Sequence, residues 1–465
     1  MRAGIAGGHP ATVAAGLEIL TAGGSAADAA VAACLASCVA ETVMTGLLGG
    51  GHALWSNAAG DVLREIDFFV NVPGLGASRP AAPLETLAVP FGTELVHYAI
   101  GVASCAVPGV PAGLERLWRE WGRLPWPRLV APALRLARDG VVVPPAHASC
   151  LAMLAPVMTL REGARVYAPG GRLLEAGDTL RQPGLEQALE LLVEEGAGSL
   201  YSGTLADSLL ALVEERGGAV TPDDLAAYEV VVREPACRSG YSGRTLVARA
   251  SLASPLAALS RLPPLRPLDP GARAVALAHA LSGPERDGDT TNLTVVDHEG
   301  NVCVLTTSLG LGSGDWLARY DLHLNSMLGE VDLLSGPLVP GERMASMMAP
   351  LVVLGDGDDG VVLAAGAAGG TRLRSALVQV LAGVLDEGLS LEEAVVRPRL
   401  HPVGDAVHIE PGWEEAALDA LAAAGYEVRR WPALHHYFGG VSAIGPDGGA
   451  GDPRRSGAAE TVSRP

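Results

Sequence analysis

The residues best placed to do chemistry in this sequence are hydroxyls on two β-prone runs, Thr290–Asp297 and Asn301–Ser308, joined by His298-Glu299-Gly300. A three-residue connection with glycine at a left-handed position is a common hairpin loop. With the turn centred on Glu299, Asn292 falls opposite Thr306 and Thr290 opposite Ser308. Strand alternation then puts Thr290, Asn292, Thr294, Thr306 and Ser308 on one face, and Leu293, Val295, Cys303 and Leu305 on the other. Facing pairs hold their Cβ atoms roughly 4.5–5.5 Å apart, close enough for hydroxyls to meet. Threonine also forms strands well, so a half-exposed structural sheet is the competing reading of the same residues. Two further groups carry less. His435-His436 has no third ligand evident, and adjacent residues of an extended segment point apart. The run Asp356 to Gly360 lacks the twelfth-position Glu of a calcium loop and reads as a hairpin turn. Neither metal nor cofactor is expected.

The surrounding pattern is a mixture of helix and sheet. Residues 11–41 read as helix, Gly-Gly break and helix, with Ser25 and Asp28 as a capping box for the second. Gly46 to Gly51 is a tight turn into a strand at His52 to Ser56. Residues 110–230 are helical, punctuated by prolines, and 253–275, rich in Pro, Leu and Arg, read as a surface loop or linker. After Thr290 the texture becomes β, at 293–296, 302–307, 351–354 and 361–363, with helices at about 373–387 and 413–424. This supports an α+β layered fold over a doubly wound one.

The 465 residues are 49% hydrophobic with a net charge of −19, and every fixed side-chain cation is Arg, for there is no Lys. That charge argues against nucleic acid or an anionic membrane as partner. Residues 1–6 show no targeting pattern, and the apolar stretch Ala29 to Ala40, bracketed by Asp28 and Glu41, is too short to span a bilayer. Six scattered cysteines without a disulfide framework point to a cytoplasmic protein.

The run from Asp289 to Asn301 resembles the segment that begins the small subunit of γ-glutamyltranspeptidases. Gly23 to Ala30, Gly49 to Gly51, Val107 to Gly109, Ala368 to Thr371, Arg397 to His401 and Gly451 to Arg455 resemble the same family in the same order. The resemblance implies the four-layer αββα sandwich of N-terminal-nucleophile hydrolases. It implies a proenzyme cut between Asp289 and Thr290 into residues 1–289 and 290–465, which stay associated as one catalytic unit. The freed α-amine, with a reference pKa of about 7.7–8.0, would serve Thr290 as its base, so no Ser-His-Asp set is required. Backbone N–H groups of Gly369 and Gly370 would form the oxyanion hole, and Ser308 stands where the family has a supporting Thr.

The pocket positions depart from the family. Where its carboxylate-binding Arg follows an Asp-Phe pair, Phe69 follows Asp67-Phe68. Gly310 replaces an Asn, Met327 a polar residue and Ala345 the first Ser of a Ser-Ser-Met stretch; Glu330, Ser346 and Met347 remain. Phe69 offers neither charge nor donor. The substrate is therefore expected to be a small-molecule amide whose acyl group is more apolar than γ-glutamyl or differently charged. Arg64, Arg372 and Arg374 are candidate replacement cations, each otherwise a surface or structural residue. Genuine γ-glutamyl transfer or glutathione hydrolysis is the alternative. Further alternatives are an ester or C–C hydrolase and an unprocessed homologue that only binds a ligand. A stretch just before the nucleophile is also shorter than in the family.

Overall fold

The computed structural model describes all residues except 92–93, 236, 250–253, 284–289, 331–332, 335, 358, 371 and 463–465, and except the side chains of 90, 91, 94 and 96. Asp289 therefore lies outside the described residues, whereas Thr290 is within them.

Two antiparallel sheets face each other. In the first, seven strands run in the order Ala458–Thr461, Gly4–Gly7, Thr291–Val296, Val302–Ser308, Gly50–Ser56, Leu63–Phe68 and Val231–Arg233. In the second, six run Gly448–Gly451, Gly440–Gly445, Val361–Ala368, Leu351–Leu354, Arg244–Ala248 and Cys237–Tyr241. The first sheet thus takes strands from both sides of position 290.

Alternation along these strands builds three apolar layers. Val247, Val296, Val302, Val304, Val352, Ala364 and Ile444 fill the space between the sheets. On the outer face of the first sheet, Leu293, Val295, Cys303 and Leu305 pack against helices Pro10–Thr21 and Ala26–Ala40. On the outer face of the second, Leu246, Leu351, Val353 and Leu363 pack against helices Ser254–Arg261, Pro270–Leu281 and Arg372–Ala382. The order is helix, sheet, sheet, helix, as the family resemblance implies.

Local chemistry explains the elements that hold the site. Helix Ala26–Ala40 opens with the expected box: Ser25 Oγ accepts from Asp28 N, and Asp28 returns a bond to Ser25 N. All of its residues are buried, which suits a helix apolar on every side. The nucleophile hairpin holds the expected register, Asn292 opposite Thr306 and Leu293 opposite Leu305, with Gly300 left-handed at φ 86°. Its threonine face is not half-exposed, because the second sheet covers it and Thr294 Oγ1 donates to Ser442 O at 2.8 Å.

The described part of the supposed linker at 253–275 is instead mostly helical. Pro255 and Pro270 stand in the first turns of their helices, where a missing N–H costs nothing, and Leu256, Leu259 and Leu265 are buried. His435 and His436 do not point apart. His435 caps a short 3-10 turn over 436–438, which brings the two rings to 4.1 Å.

Candidate active site

Thr290 sits one residue ahead of its strand, 3% exposed, on a cavity of about 10 Å³. The paired ladder ends at Thr291 opposite Thr307, so Thr290 and Ser308 lie just past it, with Ser308 paired to Gly50 on the next strand. Gly310 N–H donates to Ser308 Oγ at 2.9 Å, which fixes that oxygen at the strand end.

The second sheet reaches the same cavity through Ala368. Beyond it, Gly369 and Gly370 turn the chain into helix Arg372–Ala382 with φ values of 121° and 59°. Both angles belong to glycine, and a Cβ on Gly369 would stand 2.7 Å from Gly439 Cα.

Glu41, Asp452, Arg455 and His147 are the ionisable side chains on this cavity. Glu41 follows helix Ala26–Ala40 and is fully buried; its Oε2 accepts from Thr291 Oγ1 at 2.5 Å and its Oε1 from Thr12 at 2.7 Å. Burial pushes its carboxyl up to about 6, although those two bonds and the Arg455 charge pull the other way. His147 is pushed down to about 3 by burial, then by His9 and Arg455. Both Asp452 oxygens are committed, Oδ2 to Arg399 and Val441 N, Oδ1 to Arg454.

The other sequence-derived positions form a separate group. A Cβ on Gly310, at φ 69°, would lie 2.2 Å from Glu330 Oε1, so the glycine and that buried carboxylate are in close contact. Phe69 is buried in an apolar cluster with Val70, Ala106, Met327, Leu328, Met344 and Met348, against which Met347 packs. Ala345 and Ser346 are half-buried on the loop beside it.

The candidate replacement cations each have contacts of their own. Arg64 donates to Leu63 O and pairs with exposed Glu234, Arg374 donates to Leu281 O, and Arg372 lies over the Tyr437 ring. The cations at the Phe69 end are ones that sequence reasoning missed. Arg343 donates to the carbonyls of Phe69 and Glu229 and pairs with Asp67 at 3.3 Å. Arg249, pushed down to about 10 by burial, donates to Ser346 O and Met348 O. Between them they tie the 343–348 loop to its surroundings. No local signal marks them, for they come from residues far apart in the chain.

Beside them, His52, Glu65 and Asp67 bring ligand-type atoms within 4.8 Å of one another. His52 stacks on Phe69 at 5.6 Å and stays neutral, held well below its usual range by burial and then by Arg249, Arg343 and Arg233. Three guanidiniums already offset the two carboxylates, which opposes a further cation.

Comparison with known proteins fits this geometry. The gamma-glutamyltranspeptidase family matches residues 12–269 and 269–462. The chain belongs to the gamma-glutamyltranspeptidase family. It is 29% identical to the acylase ACY 1 proenzyme of Pseudomonas sp. (strain SE83), over 95% of this chain and 89% of that one. It is 28% identical to the glutathione hydrolase proenzyme of Escherichia coli (strain K12), over 94% and 88%. A crystal structure of cephalosporin acylase from Bacillus halodurans shares the fold, with a TM-score of 0.82 at 23% identity over 100% of this chain and 96% of that one. The protein is thus an N-terminal-nucleophile hydrolase or transferase of this family, with acylases and glutathione hydrolases among its relatives. Among the described residues, no helix is long and apolar enough to cross a membrane.

Proposed function

We propose that the chain is made as a precursor, cuts itself before Thr290, and then works as an N-terminal-threonine amide hydrolase or acyltransferase on a non-γ-glutamyl acyl group. In this reading the Thr290 hydroxyl attacks the Asp289 carbonyl, and hydrolysis of the resulting ester frees the α-amine. That amine then serves as base while Thr290 forms acyl-Thr290 with an amide substrate, and water or an acceptor amine releases the acyl group. Gly369 and Gly370 N–H groups hold the oxyanion, and Ser308 supports the nucleophile. Strands from both sides of position 290 are interleaved in the first sheet, which supports fragments that stay together after the cut.

The observation that carries the specificity reading is Phe69, closed into a methionine-rich cluster where the family places a carboxylate clamp. A γ-glutamyl carboxylate placed there would be desolvated against thioethers and a phenyl ring, at a cost of several kcal/mol. Arg343 and Arg249 are spent on loop carbonyls and the buried carboxylates. Glu330 and the glutathione hydrolase relative favour the second reading, γ-glutamyl hydrolysis. Assaying a γ-glutamyl anilide beside glutaryl, oxamoyl and simple acyl amides separates the two. Strong γ-glutamyl turnover would overturn the first.

A further inference from the structure

Before self-cleavage, the α-amine that serves the mature nucleophile is still an amide nitrogen and cannot act as a base. Another group must take the Thr290 proton at that stage. Of the ionisable groups on the Thr290 cavity, Arg455 is a cation, and His147 is directed at Gly8 O and is a weak base. Asp452 is ion-paired with Arg399 and Arg454, whose charges outweigh burial and hold its carboxyl below the usual range. The Glu41 oxygens, by contrast, accept only from two neutral hydroxyls among the described residues. Glu41 remains. It lines the cavity together with Thr290, and its Oε2 accepts from Oγ1 of the adjoining Thr291.

We infer that Glu41 is the general base of self-cleavage, taking the Thr290 hydroxyl proton across this cavity; the inference rests on the self-processing reading above. The cavity has room for about one water, enough to carry the proton between the two groups. As the Thr290 oxygen attacks the Asp289 carbonyl carbon, its proton passes to the Glu41 carboxylate. When the C–N bond breaks, Glu41 returns that proton to the departing nitrogen, which becomes the α-amine. Water then hydrolyses the ester to the Asp289 carboxylic acid and restores the hydroxyl.

Glu41 is faced by Thr12 from helix Pro10–Thr21, Thr291 from the strand, Arg455 and His147 across the cavity, and the Cys38 thiol on its own helix. Burial is the largest influence on it and sets its titration near pH 6, so a desolvated, ionised carboxylate is present at neutral pH.

The test follows cleavage of freshly translated full-length chain on denaturing gels across pH 4.5–8.5, for the wild type, Glu41→Gln and Glu41→Asp. The expected wild-type rate falls about tenfold per pH unit below about pH 6. Glu41→Gln should be slowed on the order of a hundredfold or more, with that limb gone, and hydroxylamine should not rescue it, because the ester never forms. Glu41→Asp should keep a pH-dependent limb. Wild-type-like cleavage in Glu41→Gln overturns the inference and leaves the processing reading intact. A wild-type rate flat through pH 6 overturns it even should Glu41→Gln fail to fold. A wild-type chain that stays whole overturns both.

Discussion

The two ends of the first sheet's inner face have opposite characters. Asn292, Thr306, His52 and Asp67 are neighbours across four strands, a single polar row. At one end, Glu41, Thr291 and Ala368 line the cavity that Thr290 shares. At the other, Phe69 lies among Val70, Ala106, Met327, Met344 and Met348. The same scaffold gathers hydroxyls and ionisable groups at the Thr290 end and a methionine and phenylalanine cluster at the Phe69 end. On the function proposed above, chemistry and recognition would occupy different elements, so that one could change while the other stays.

Thr290→Ala would break the comparison at its reactive end. Both self-cleavage and turnover should vanish, seen as an intact chain on a denaturing gel and no amide hydrolysis above background. Phe69→Ala acts at the other end and should lower the unfolding free energy by about 3–5 kcal/mol in denaturant titration, with the cut before Thr290 still made. Should Phe69→Ala abolish cleavage while the protein remains folded, the two ends are coupled and the separation fails.

Arg343→Met leaves the Phe69 and Glu229 carbonyls and the Asp67 carboxylate short of a donor, a loss of about 1.5–3 kcal/mol. The loop it holds carries Ala345 and Ser346, so KM for the preferred acyl amide should rise several-fold and kcat change little. The smallest effect is on stability against pH. Glu41 titrates near 6 folded against 4.5 unfolded, so its contribution is full below pH 4.5 and lost as pH rises through 6. The ionised group costs about 2 kcal/mol at neutral pH, so Glu41→Gln should flatten that window and leave Tm at pH 7 equal or higher.

Much of this was legible where local rules act alone. The Ser25–Asp28 box, the hairpin register around Glu299 and the strands at 351–354 and 361–363 follow from capping, turn chemistry and alternation. The helices at Ser254–Arg261 and Pro270–Leu281 were hidden because proline reads as a breaker until its first-turn position is known. Glu41 reads in sequence only as the end of an alanine-rich stretch. Its meaning depends on Thr12, Thr291 and Arg455, which folding brings from three other segments. The same holds for Arg249 and Arg343 beside Asp67.

Intact mass and N-terminal sequencing of purified active protein test the central claim most directly. The account predicts two fragments, residues 1–289 and 290–465, the second reading Thr-Thr-Asn-Leu from its first residue. A single active chain of 47.5 kDa would contradict it.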